Sequence, residues 1–571
     1  MSGVRLQEMI FPQGGIDETM FCRGRTTLKS GNVLSFDTYF NSFSYTKYRD
    51  YTRVSDVTFS CEIKGKALVS LCVFDGEEKV ILETEAENAV ELFVNLSDLP
   101  SNGFLYPRIT AITDCEFLRG EYCAECEPDD INVCIAICTY RREQYVLKNI
   151  ELLRNAEFGF IHRVFVVDNG KTLDPMLSDE FIRILPNKNY GGSGGFTRGL
   201  IEAHDNGFSH IILMDDDVEF FPQTLEQMTV FISLLTEKYS KSWFGTGMFP
   251  LDKPWEQFEL GAQWNGELTS YKHKIDLREP QNLLDNLNNG DLDYSAWWTL
   301  CMPVSVAENG LPFPFFIKGD DIEYGLRKDP GTEIITMNAV GVRHEAFDRK
   351  TSFVLYYYNV RNELTLNAVH RKYDTFKALK RFWFEILKQL ILYRYDNCNI
   401  VFAAVGDFLG GVDFFLRTDE EQLNKELSQR VSQLVPLADI PEWDETLRCD
   451  EHTRRNKITA AMLLTLGGHI IPSFALKKDL KAYPLSRIGT EDTFLRKAAI
   501  QYQLGGDRGI RTCRSFAKFA KYAFRAFGQS FALLFKYRSA QRDYIQRGSE
   551  ITSFEFWRRH LDIPYDHNDL N

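Results

Sequence analysis

The sequence predicts an α/β core, with a β-sandwich or jelly-roll domain before it and a mostly α-helical region after it. Three observations carry this reading. Up to about residue 128 the chain consists of short β-rich runs broken by turn dipeptides; from Asn132 strands alternate with helices; past about residue 350 the pattern turns helical. The expected domains are therefore 1–128, 129–350 and 351–571. At 571 residues the chain is long for one core, so several domains are expected on size alone.

In the first region, "ALVSLCVFDGEEKVILETE" and "AVELFVNLSDLPSNGFLYPRITAIT" are β-rich and carry Asp75-Gly76 and Asn102-Gly103, dipeptides with turn chemistry. The acidic "ECEPDD" closes it. In the second, "NVCIAICTY" reads as a buried strand, "REQYVLKNIELLRNA" as a helix, "HRVFVVDNG" and "FIRILPN" as strands, "GGFTRGLIEAHDNG" as a helix and "HIILM" as a fourth strand. Such alternation signals a largely parallel sheet, whose ligands gather beyond the carboxyl ends of the strands. The third region opens on "SFVLYYYNVRNELTLNAVHRKYDTFKALKRFWFEILKQLILYRY".

The net charge of -14 argues against a general nucleic-acid binder. Residues 505–559 oppose that sign, with twelve Lys or Arg against four Asp or Glu, interleaved with Phe and Tyr. This basic amphipathic pattern suits either a surface helix packing its aromatic stripe or attachment to an anionic membrane surface. No apolar run is long enough for a membrane span, and the opening "MSGVRLQEMIFPQGG" lacks a signal-peptide core. Twelve scattered cysteines suit a reduced, cytoplasmic setting, and the single CxxC of Cys123 and Cys126 has no second pair to complete a zinc site.

The expected strand ends carry Thr139-Tyr140-Arg141-Arg142, Asp168-Asn169-Gly170, Asn189-Tyr190-Gly191-Gly192 and Asp215-Asp216-Asp217. If strand alternation persists to its end, Asp215 and Asp217 share a face and Asp216 takes the other. Two carboxylates on one face make a site for Mg2+ or Mn2+; the alternative is an acidic turn capping the next helix. "NKNYGGSGGF" precedes a helix and can bring amides to a phosphate, although it lacks the Gly-Lys-Ser/Thr ending of a P-loop. Asp320 and Asp321 in "FPFFIKGDDIEYGLR" sit at a probable helix start, as caps or as a proton acceptor for an incoming hydroxyl. His344 in "AVGVRHEAF" is an ordinary histidine or a third metal ligand. Trp297 and Trp298 are core residues or platforms for a sugar ring.

Taken in order, "CTYRR", "VVDNG", "NYGGSGGF", "MDDDVEF", "WWTL", "IKGDDIEYGLR" and "RHEAF" resemble the GT-A-fold inverting glycosyltransferases of family two. The likeness is greatest to bacterial galactofuranosyltransferases that build surface galactan from UDP-galactofuranose, and it covers nearly the whole chain, including "TYFNSF" in the β region. The resemblance implies that Asp215, Asp217 and His344 hold Mn2+ or Mg2+ against the donor diphosphate. It places Thr139, Arg141, Arg142, Asp168, Asn169, Asn189, Gly191, Gly192 and Asp216 on the donor nucleotide. Asp321 matches the catalytic base and Asp320 an acceptor-hydroxyl contact, while Trp297, Trp298, Lys318 and Phe347 fall on the acceptor side. Phe347 departs from the family, which has a tryptophan there, so the indole N–H is lost.

The activity implied is a single displacement with inversion, the cation neutralising the leaving UDP while Asp321 takes the hydroxyl proton. Partners expected are a UDP-sugar, a glycan or glycolipid acceptor, an anionic membrane surface touched from the cytoplasm and, as an open alternative, further copies of the chain. Rival readings are the same scaffold using another donor such as dTDP-rhamnose, a non-catalytic glycan-binding scaffold, and a nucleotidylyltransferase.

Overall fold

A computed structural model describes residues 3–11, 17–288, 290–346, 352–451 and 456–564. The chain divides into two compact units. One comprises residues 1–188, 195–311 and 324–345, and the other 189–194, 312–323 and 346–571.

The first unit opens on a seven-stranded antiparallel sheet. Its axis is the 19-residue strand Asp56–Phe74, paired along its length with Glu78–Asn95. On its other side it pairs first with Cys115–Ala124 and then with Phe104–Ala111. The change of partner falls at Gly65, where φ is 102° and a Cβ would lie 2.6 Å from the Asp114 carbonyl oxygen, so a bulge there requires glycine. Residues 56–63 alternate strictly, burying Val57, Phe59, Cys61 and Ile63. The Asp75-Gly76 hairpin forms as expected. The expected two-sheet sandwich is instead one hydrogen-bonded sheet, because the long strand serves both halves.

The α/β core belongs to the same unit. Its seven strands run in the order Ile182–Pro186, Ile161–Asp168, Val133–Thr139, His210–Asp215, Thr299–Pro303, Trp243–Gly245, Ile334–Ile335. The first four are parallel, and Thr299–Pro303 runs antiparallel to both neighbours. Val133, Ile135, Ile137, Val164 and Val166 are fully buried, as strands covered on both faces require. This is the largely parallel α/β core that the alternation of strands and helices predicts. The β region is tied to it by buried contacts: Tyr39 Oη donates to the Val340 carbonyl at 3.0 Å, and Gln227 Nε2 to Gln7 Oε1 at 3.1 Å. The change near residue 128 is thus one of secondary structure and not a break in packing.

The second unit is largely helical, with Leu355–Val369, Thr375–Ile391, Asn397–Leu409 and the 36-residue Phe516–Ile551 as its main helices. The long helix buries Phe519, Tyr522, Ala526, Ser530, Leu533, Tyr537, Ala540, Tyr544, Gly548 and Ile551, a three-and-four spacing that keeps one stripe inward. Buried tyrosine hydroxyls on that stripe find carbonyls, Tyr537 that of Tyr373 at 3.1 Å and Tyr544 that of Phe408 at 3.0 Å. A four-stranded sheet within residues 435–513 was not expected; its strands are two to six residues long, too short to leave a period in the sequence.

Candidate active site

The strand His210–Asp215 delivers the three aspartates, but it ends at Asp215, and Asp216 and Asp217 lie in a turn. The separation expected from alternation is nevertheless realised. Asp215, Asp217 and His344 bring one ligand atom each to within 4.8 Å of one another, and no other such group occurs among the described residues. His344 Nε2 is 3.2 Å from Asp217 Oδ1 and 3.9 Å from Asp215 Oδ2. Two ligands each about 2.1 Å from a hard cation can stand no more than about 4.2 Å apart, so both spacings suit one shared ion.

His344 ends the strand Gly341–His344, which pairs in parallel with Gly247–Pro250. Its Nδ1 donates to the Glu345 carbonyl oxygen at 2.6 Å, which turns Nε2 toward the two aspartates. Two carboxylates and an imidazole nitrogen are a donor set that suits Mn2+ or Mg2+.

Asp216 turns the other way. Its carboxylate accepts from the Thr139 hydroxyl at 2.8 Å and from Arg142 Nη1 at 3.1 Å, and the same Nη1 reaches Asp217 Oδ2 at 2.9 Å. Burial raises the Asp216 carboxyl above the usual range, opposed by Arg142 and Thr139. Burial lowers the Arg142 guanidinium, but the two aspartates outweigh it and raise it overall. Asn149 holds the turn from below, its Nδ2 donating to the carbonyls of Asp216 at 3.0 Å and Val218 at 3.1 Å. Asp216 and Thr139 therefore brace the turn that carries Asp217.

The remaining donor-side residues divide in the same way. Asp168 is buried, and its carboxylate accepts three backbone amides, those of Gly170 at 2.9 Å and of Thr172 and Leu173 at 2.7 Å. It shapes the turn after its strand, a correction to the direct contact expected. Asn169 Oδ1 accepts from Asn187 at 2.8 Å. Arg141 stands exposed over the Tyr140 ring, in a left-handed conformation with φ of 55°.

The glycine-rich segment lies inside a helix, Gly191–Asp205, and does not precede it. Its glycines permit close packing: a Cβ at Gly195 would stand 2.1 Å from Cys138 Sγ, and one at Gly199 would stand 2.4 Å from the Ala136 Cβ. In the helical unit, Gly191 (φ 65°) would place a Cβ 1.9 Å from the Phe316 carbonyl oxygen. The Gly191 amide donates to Asn189 Oδ1 at 3.1 Å and that of Ser193 to the Phe316 carbonyl at 3.3 Å. The phosphate cradle expected here is thus partly filled by the protein's own acceptors.

Asp320 and Asp321 open the helix Asp320–Gly325. Asp320 is buried and accepts from the Ser193 hydroxyl at 2.8 Å. Burial pushes its carboxyl above the usual range, against that hydrogen bond. Asp321 is less buried, and its Oδ1 accepts from the Ile322 amide at 2.8 Å. The exposed Lys318 has φ of 72°.

The tryptophan pair is a correction. Trp297 and Trp298 are 4% and 5% exposed; Trp297 packs on Phe196 and Tyr324, and Trp298 Nε1 donates to the Thr246 carbonyl at 3.3 Å. Rings so enclosed have no open face for a sugar, so the core role holds. Phe347 lies outside the described residues.

Arg361, Asn362, Ser193 and Asn149 were not singled out from sequence. An arginine within the aromatic helix "YYYNVRNEL" was the available signal for the first two. All twelve cysteines are thiols, and among the described residues Cys123 and Cys126 join no metal-type group.

The family model "Galactofuranosyltransferase 2 N-terminal" matches residues 15–125 and "Glycosyl transferase family 2" residues 134–233. Galactofuranosyltransferase GlfT2 of Mycolicibacterium smegmatis is 27% identical over 431 residues, 68% of this chain and 66% of that protein. GlfT2 of Mycobacterium tuberculosis is 28% identical over 447 residues, 70% of this chain and 69% of its own length. The match thus spans about two thirds of these relatives. Among solved structures, the mannosyltransferase PcManGT of Pyrobaculum calidifontis, in complex with GDP-Man and Mn2+, is 11% identical at a TM-score of 0.31, covering 54% of this chain and 87% of its own. Both family models match in order along one chain, which thus carries a glycosyltransferase family-two domain over residues 134–233 and is similar to the galactofuranosyltransferases GlfT2.

Proposed function

We propose that the enzyme transfers galactofuranose, with inversion, from UDP-galactofuranose to a hydroxyl of a lipid-linked surface glycan. The convergence of Asp215, Asp217 and His344 carries the reading, because a diphosphate leaving group needs a divalent cation that such ligands hold. When bound, Mn2+ or Mg2+ supplies Lewis-acid neutralisation of the departing UDP. Arg142 pairs with Asp217 and aims it, and the Thr139 hydroxyl holds Asp216 in the same turn. Asp321 takes the acceptor proton. A panel of UDP- and dTDP-sugars, assayed with Mn2+ and with chelator, tests this: metal-dependent turnover of UDP-galactofuranose is expected, and turnover of dTDP-rhamnose alone would overturn the donor.

The long helix also supports attachment to the cytoplasmic face of an anionic membrane. From Phe516 to Arg542 it has six Lys or Arg and no Asp or Glu, while Phe524 and Phe535 are 82% and 81% exposed and Phe527 and Phe531 largely so. Exposed aromatics ringed by cations match a lipid interface of opposite charge. Among the described residues no helix is long and apolar enough to cross a membrane. Cosedimentation with phosphatidylglycerol vesicles but not with phosphatidylcholine vesicles is expected; equal recovery on both would defeat the charge argument.

A further inference from the structure

The turn before Asp320 is conformationally costly. Phe316, Lys318 and Gly319 have φ values of 66°, 72° and 86°, three left-handed residues within four positions, and for Phe and Lys that region is strained. Such a turn persists only when its surroundings over-determine it, and here the surroundings are two adjacent residues of the helix Leu355–Val369. Asn362 is 1% exposed, and its Nδ2 faces the carbonyl oxygens of Lys318 at 2.7 Å, Ile317 at 3.0 Å and Phe315 at 3.1 Å. Arg361 is fully buried; its Nη2 donates to the Phe315 carbonyl at 2.9 Å and its Nε to Asn362 Oδ1 at 2.9 Å. The guanidinium is fixed by Glu420, whose Oε1 accepts from Nη1 at 2.8 Å, and by the rings of Tyr357, Tyr358 and Phe415. Phe316, at the first strained position, stacks on Tyr358 with centroids 5.2 Å apart.

A buried ion pair is a poor source of net stability, since desolvation offsets its Coulombic gain. Its retention points to position. We infer that Asn362 and Arg361 are positioning residues for Asp321, a role that rests on the assignment of Asp321 as base: they hold the carbonyls of the 315–318 turn so that the next residues start a helix with both aspartates in its first turn. Between those clamped carbonyls, the Phe316 carbonyl receives the Ser193 amide, while Asp320 receives the Ser193 hydroxyl. One clamp thus sets the whole "FIKGDD" turn.

Two variants test this in the full-length enzyme. Asn362→Ala removes the clamp; Gly319→Ala strains the turn without touching the core, because its Cβ would meet nothing nearer than 3.8 Å. Both should lower kcat about 100-fold, the loss expected when a reacting group is displaced by about an ångström. Donor KM and Mn2+-dependent UDP affinity should stay near those of the parent, while the melting temperature of the helical unit falls by a few degrees in both. If both variants keep kcat within about threefold, the clamp is refuted. If UDP affinity falls in step with kcat in both, the residues serve general structure and the positioning role is likewise refuted. Asp321→Asn separates the two layers: should it retain turnover, the base assignment itself fails, whereas an inactive Asp321→Asn beside a fully active Asn362→Ala defeats the clamp alone.

Discussion

The two acidic sites of this protein are built by opposite means. In the sheet unit, Asp215 and His344 end strands and Asp217 follows directly in a turn; Thr139 ends the neighbouring strand of the same sheet, Arg142 caps the helix Glu143–Arg154 that comes next, and Asn149 reaches the turn from the middle of that helix. In the helical unit, Asp320 and Asp321 sit on a strained turn held by side chains 40 to 100 residues further along the chain, from Arg361 and Asn362 to Glu420. A site at strand ends inherits its geometry from sheet register. A site on a turn needs a dedicated clamp.

This contrast can be broken most forcefully at the ligands. Asp217→Ala removes one carboxylate from the cation and leaves Arg142 facing Asp216 alone; we expect Mn2+-dependent activity to fall on the order of 10³-fold, with melting of the helical unit unchanged. Isothermal titration with Mn2+ and UDP should show the affinity lost, and retained affinity would remove Asp217 from the ligand set.

A smaller effect separates two glycines one turn apart in one helix. Gly191→Ala forces a Cβ onto the Phe316 carbonyl, and Gly195→Ala forces one onto Cys138 Sγ, next to Thr139. Each should cost about 1–3 kcal/mol of stability by overpacking. The first should depress kcat and spare Mn2+ affinity; the second should weaken Mn2+ affinity through Thr139 and Asp216. Identical kinetic signatures would show that the two sites are not separately supported.

The mildest test uses pH. Burial lowers both His210, in the sheet unit, and His469, in the helical unit, to about 4 from 6.5. Each is neutral when folded, and the unfolded chain binds the extra proton, so stability is full above pH 6.5 and is lost as pH falls from 6.5 through 4. His469 fixes its neutral form by accepting from the Tyr395 hydroxyl at 2.7 Å while its Nδ1 donates to the Leu466 carbonyl at 2.7 Å. His469→Gln should flatten this acid limb for probes in the helical unit only. A melting temperature constant from pH 7 to 5 in the parent would contradict the burial argument.

The Asp215 and Asp217 pair was legible as an apolar strand running into acids, whereas His344 was set beside it by the family resemblance and not by any local pattern. The pair's agreement with strand alternation came through a turn, which happened to send Asp216 the opposite way. The glycine run misled, since close approach to Cys138 and Ala136 demands glycine as strongly as a phosphate does. Trp297 and Trp298 misled for a related reason, because burial and sugar stacking select the same side chain. The clamp was not legible. Nothing in local spacing ties Asn362 to the carbonyl of Lys318, 44 positions away, and an Asn beside an Arg on a helix is ordinarily a solvated pair.

The allegiance of two short segments has a practical consequence. Residues 189–194 and 312–323 interrupt the sheet unit in sequence but cluster with the helical one. Truncation near residue 346 would therefore leave both stretches without Arg361, Asn362 and the Trp557 indole, which donates to the Pro312 carbonyl at 2.9 Å. Such a fragment would keep Asp215, Asp217 and His344 while losing the contacts that hold the turn before Asp321. Exchanging the tail between relatives would likewise retune the turn that bears Asp321, so the C-terminal half is heritable together with the chemistry and not as an accessory to it.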